Sequence, residues 1–127
     1  MSENNKYTVL IAEDNDATRQ MMTAVLENKG YDVQQAIDGG TAMDVVRSQK
    51  VDLALVDLHM SPKGGFDFVK YVQTEGYNLP MVMITGDQGT DLLMEARKHG
   101  VTQLLQKPVD AGRLVSLVER VIQKFVK

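Results

Sequence analysis

The chain has 127 residues, enough for one ordinary domain with a buried core and too few for two. Its 14 basic and 17 acidic residues leave a net charge of −3, with no basic cluster longer than Arg97-Lys98-His99, which argues against direct nucleic-acid binding. The absence of cysteine removes disulfides, thiolate metal sites and thiol catalysis, and no apolar run approaches the roughly 20 residues of a membrane span, so a cytoplasmic protein without a membrane partner is expected.

Residues 1–6 are polar and read as a flexible N-terminus, with the folded domain over 7–127. From there short apolar runs alternate with segments of helical period. A strand over 8–12 is followed by a helix over 17–29 that stops at Gly30, a good C-terminal signal after Asn28-Lys29. A strand over 31–37, a helix over 39–49, a strand over 51–56 and a helix over 65–75 continue the alternation. Strands over 81–84 and 101–106, each with a following helix over 91–99 and 110–125, complete it. Repeated βα units with short connections imply a parallel sheet with right-handed crossovers.

Strands covered on both faces read as continuous apolar runs, whereas edge strands tolerate polar residues. The first, third and fourth strands are continuous, while the second carries Asp32, Gln34 and Gln35 and the fifth Thr102, Gln103 and Gln106. The order 2-1-3-4-5 of the flavodoxin-like doubly wound α/β fold, a (βα)5 unit, satisfies that pattern and puts its switch point between strands one and three.

In such a sheet every strand ends on one edge, so Glu13-Asp14, Asp57, Thr85 and Lys107 converge there. Two carboxylates in close contact repel by about 4 kcal/mol at an effective dielectric near 20, so the edge calls for a cation. Magnesium, or manganese in its place, is the natural choice: it takes oxygen ligands and commonly sits between carboxylates and phosphate. Asp14 and Asp57 are the expected side-chain ligands, with Glu13 acting directly or through water and the backbone carbonyl near His59 adding another. An ionised aspartate is a nucleophile at neutral pH and needs no general base. Asp57 is therefore the expected phosphoacceptor, with the Lys107 ammonium and the Thr85 hydroxyl stabilising the transferring oxygens. Lys107 precedes Pro108, where a cis bond is accessible and would aim the ammonium into the pocket.

Glu13-Asp14 after strand one, Asp57 in Leu55-Val56-Asp57-Leu58-His59-Met60, Gly65 eight residues on, Thr85-Gly86 and Lys107-Pro108 resemble the receiver domain of two-component response regulators. The resemblance spans residues 7–126. It implies that Asp57 takes phosphate from a sensor histidine kinase or a histidine phosphotransfer protein, with magnesium required. It also implies that the fourth and fifth helices with strand five form the face that meets a downstream effector protein or a second copy in a homodimer. In the family an aromatic residue usually stands three positions before the lysine; here it is Leu104, so a more limited rearrangement on activation is expected. His59 and Asp87, two positions beyond the phosphoacceptor and the threonine, match positions that tune phosphate loss.

Plainer readings exist for each residue. Aspartate is common at turns, acids favour helix N-termini through the helix dipole, and the methionines fall mainly at core positions. A flavin or nucleotide protein is disfavoured because Gly39-Gly40 and Gly64-Gly65 make no phosphate-cradling motif. A phosphatase using Asp57, a receiver fragment of a longer regulator and a phosphorylation-independent binding module are the remaining alternatives. In the last helix Leu114, Val115, Leu117, Val118, Val121, Ile122, Phe125 and Val126 cover about half the circumference, wider than the ~100° stripe of a surface helix, so part of that face is a candidate contact.

Overall fold

The computed structural model describes residues 6–86 and 90–126, without the side chains of 90–93. Elements follow strict alternation: β1 Thr8–Ala12, α1 Asp16–Asn28, β2 Asp32–Ala36, α2 Gly39–Ser48, β3 Leu53–Asp57, α3 Gly65–Glu75, β4 Met81–Thr85, α4 Thr90–Lys98, β5 Val101–Gln106 and α5 Ala111–Val121. A π-helical turn over Ile122–Val126 closes α5.

The strands pair in parallel in the order β2-β1-β3-β4-β5, as expected from their polarity. All five residues of β3 and of β4 are buried, whereas β2 has a single buried residue, Ala36. Alternation along each strand divides the apolar residues between two cores. Val9, Ile11, Leu53, Leu55, Val82 and Ile84 meet α1 and α5 on one face of the sheet. Leu10, Ala12, Ala54, Val56 and Met83 meet α2, α3 and α4 on the other. Most of the broad apolar face of α5 is spent on the first of these cores: Leu114, Leu117, Val118, Val121 and Ile122 are buried, and Phe125 remains 46% exposed.

Local chemistry fixes the helix starts that face the strand ends. Asn15 accepts the Thr18 N–H at 2.8 Å and begins α1; Asp38 accepts the Thr41 N–H at 2.8 Å and begins α2, which holds its carboxyl below the usual range. Gly39 donates its N–H to the Lys63 carbonyl at 2.8 Å, and a Cβ there would lie 2.8 Å from that same oxygen, so the loops after β2 and β3 touch through backbone. The Ser61–Pro62 and Lys107–Pro108 peptide bonds are cis.

Candidate functional site

The site is assembled at the carboxyl edge of β1, β3, β4 and β5. Glu13 continues the β1 pairing by donating its N–H to the Ala36 carbonyl at 3.0 Å, and this turns its side chain under the edge, where it is fully buried. Its Oε2 accepts the Asn15 N–H at 3.1 Å. Asp14, the next residue, is exposed. Asp57 is the last residue of β3 and 2% exposed; its Oδ1 lies 3.4 Å from the His59 N–H. Thr85 ends β4, also buried, and its carbonyl accepts the Lys107 N–H at 2.9 Å, which places the lysine beside the site.

The Lys107 Nζ stands 3.3 Å from Asp57 Oδ1 and 3.4 Å from Glu13 Oε1. One cation thus bridges two buried acids from different strands. Burial disfavours the Lys107 ammonium, but the charges of Glu13 and Asp57 outweigh it and hold the group above its ordinary value. Burial pushes the Glu13 carboxyl up to about 7; the Asn15 N–H opposes that rise and the Asp57 charge adds to it. Among the described residues one ammonium bridges two of the three acids, so negative charge remains in excess.

That excess suits a hard divalent cation. Carboxylate oxygens of Glu13, Asp14 and Asp57 lie within 4.8 Å of one another, and the buried Glu13 Oε1 meets the Lys107 ammonium at 3.4 Å with no closer donor among the described residues. An all-oxygen donor set fits magnesium or manganese better than softer metals.

The expected residues therefore converge, with Thr85 adjoining Asp57 across the β3–β4 pairing. His59 is exposed on the loop after β3, and Leu104 is half-buried in β5 against the core shared by α2, α3 and α4. Asp87 lies outside the described residues. Two supporting residues complete the site, of which Gly65 belongs to the motif and Arg19 escapes it. Gly65 lets α3 start against the acceptor strand, since a Cβ there would come within 2.5 Å of the Asp57 carbonyl. Arg19 is buried and holds the Glu13 carbonyl; its signal in the sequence is a charge on the α1 face of Met22 and Leu26.

Residues 9–119 match the response regulator receiver domain. The chain belongs to the response regulator receiver domain family. It is 31% identical to the response regulator protein PilR of Pseudomonas aeruginosa over 114 residues, which make up 90% of the chain and 26% of that protein. Against the CAI-1 autoinducer sensor kinase/phosphatase CqsS of Vibrio cholerae the identity is 30%, covering 87% of the chain and 16% of the relative. This receiver domain thus spans well under half of both relatives. Among solved structures, the chemotaxis protein CheY4 of Vibrio cholerae is 30% identical with a TM-score of 0.87, covering 91% of this chain and 98% of that one. A CheY-like receiver from Methanospirillum hungatei, at 20% identity and TM-score 0.89, covers 95% of this chain and 97% of its own and shares the fold. The domain is a phosphoacceptor signalling module of two-component systems, a family that works with histidine kinases and effector domains. Among its described residues no helix is long and apolar enough to cross a membrane.

Proposed function

We propose that Asp57 is the phosphoacceptor of this receiver domain and that it takes its phosphoryl group from the phosphohistidine of a cytoplasmic sensor kinase or phosphotransfer protein. The observation carrying this reading is the Lys107 ammonium, 3.3 Å from Asp57 Oδ1 and 3.4 Å from Glu13 Oε1, in a buried acidic pocket. An Asp57 oxygen attacks phosphorus, the P–N bond breaks, and its electron pair returns to the departing imidazole. Lys107 shifts its hydrogen bonding from the carboxylates to a phosphoryl oxygen, and the Thr85 hydroxyl donates to another. Magnesium or manganese, held by Glu13, Asp14, Asp57 and the His59 carbonyl, supplies charge neutralisation when bound. The chemistry is confined to the domain's own phosphorylation and dephosphorylation, with His59 and Asp87 setting the access of water.

The output is a change in protein–protein binding on the face of α4, β5 and α5. A groove along β5 lined by Gln103, Leu104, Gln106, Arg113 and Arg120 supports an effector contact or a homodimer there. Leu104 limits the rearrangement, since it has no ring to swing between pocket and surface.

Intact mass after incubation with acetyl phosphate, with and without magnesium, tests the chemistry. The wild type gains one phosphoryl group only with magnesium, and Asp57→Asn gains none. An unmodified wild type, with magnesium binding verified and rapid hydrolysis controlled for, would leave a phosphorylation-independent binding module as the better reading.

A further inference from the structure

A buried arginine satisfied on three sides needs a reason, because desolvating a guanidinium is costly unless its donors are matched. The Arg19 side chain is 9% exposed. Its Nη1 donates to the Glu13 carbonyl at 2.9 Å, its Nη2 to Asp16 Oδ1 at 2.6 Å, and its Nε to Gln35 Oε1 at 2.9 Å. One rigid fork therefore joins the loop after β1, the first turn of α1 and strand β2. The Glu13 N–H is held by Ala36 at 3.0 Å, so both peptide planes flanking the Glu13 Cα are pinned, one by the sheet and one by Arg19. The second of these planes is the one that leads into Asp14.

We propose that Arg19 is a positioning residue for the cation site: by gripping the Glu13 carbonyl it fixes the peptide that carries Asp14 toward Glu13 and Asp57. This rests on the reading of those acids as the magnesium site. Asp14 is exposed and has to stand within 4.8 Å of two like-charged oxygens, a placement that mutual repulsion opposes and a rigid corner maintains. A fork-shaped donor set is required, since a lysine ammonium in its place is a single point charge and cannot span acceptors on three elements.

The test uses wild type, Arg19→Lys and Gln35→Ala, comparing magnesium affinity by calorimetry with the backbone amide shifts of Asp14 and Asn15 in metal-free protein. Arg19→Lys is expected to weaken magnesium binding about tenfold, the size typical of a lost outer partner of a metal ligand, and to move both amides before any metal is added. Gln35→Ala, which frees Nε alone of the arginine's three donor nitrogens and releases the exposed Gln20 amide with it, gives smaller changes in the same direction and decides the matter if Arg19→Lys does not fold. Folded variants that lose thermal stability yet bind magnesium within about twofold of wild type, with both amides unmoved, make Arg19 merely structural and overturn the inference. A wild type that neither binds magnesium nor accepts a phosphoryl group overturns the site reading itself, and this inference with it.

Discussion

Two adjacent acids, Glu13 and Asp14, meet opposite fates, one fully buried and the other exposed. The sequence marks both as strand-end acids but does not distinguish them, because the difference comes from one extra hydrogen bond, Glu13 N–H to Ala36, that extends strand pairing past the end of β1. The consequence is a pH dependence. An unfolded Glu13 releases its proton near 4.5 and the folded one near about 7. Between those values the folded chain binds more protons, so the contribution of Glu13 to stability falls as pH rises through the window, and the penalty is fully present above it. Glu13→Gln removes the titrating charge while keeping an acceptor for the Asn15 N–H. The metal-free variant should therefore exceed wild type in stability above about pH 7 by on the order of 3 kcal/mol, and the two should converge toward pH 4.5. Urea unfolding across that range is the measurement; parallel curves for the two proteins would show that burial of Glu13 carries no such penalty.

At the scale of elements, periodicity located every helix and strand, and the remaining differences are a residue or two at the ends, except that the last helix, expected to run to 125, ends as α5 at Val121 and gives way to a π-helical turn. Asp57 and Thr85, for instance, are the last residues of β3 and β4 rather than the first after them. Contacts between elements were less accessible. The half-apolar circumference of α5 left core and partner surface equally open, and only three-dimensional packing assigns Leu117, Val121 and Ile122 to the core while leaving Phe125 outside. Gly65 is a similar case. Its place after Asp57 is visible in the sequence, but the reason is the approach of α3 to β3, where an added Cβ would lie 2.5 Å from the Asp57 carbonyl and 3.0 Å from the Leu58 Cα. Both obstacles are backbone atoms that cannot rotate away, so Gly65→Ala should cost about 1–3 kcal/mol. It should also shift the amide resonances of Leu58 and His59, because the Gly65 N–H to Leu58 carbonyl bond at 3.0 Å shares that corner. Unchanged stability and shifts would mean that α3 slides freely and the glycine is incidental.

For the molecule as a whole, strand order followed from polarity because burial on both faces leaves no room for polar residues in the middle of β1, β3 and β4, where only the strand ends carry Thr8, Asp57 and Thr85. The same order explains why function is concentrated at one edge: the central strands carry the acids, and the two cores beneath them hold those strand ends at fixed separation. Such a scaffold keeps three carboxylates together although, among the described residues, a single ammonium, Lys107, bridges two of them. The folded state therefore retains electrostatic strain that the unfolded chain, with its acids dispersed, does not share. A cation that binds only the folded edge must then stabilise the entire domain, by about 2.7 kcal/mol at a concentration one hundred times its dissociation constant. Thermal unfolding at a pH where Glu13 is ionised should show the midpoint rising with magnesium in the wild type and rising less in Asp57→Asn, which lacks one of the three acids. Equal rises in the two proteins would place the bound ion elsewhere on the acidic surface, and the converged edge would lose its claim to be the metal site.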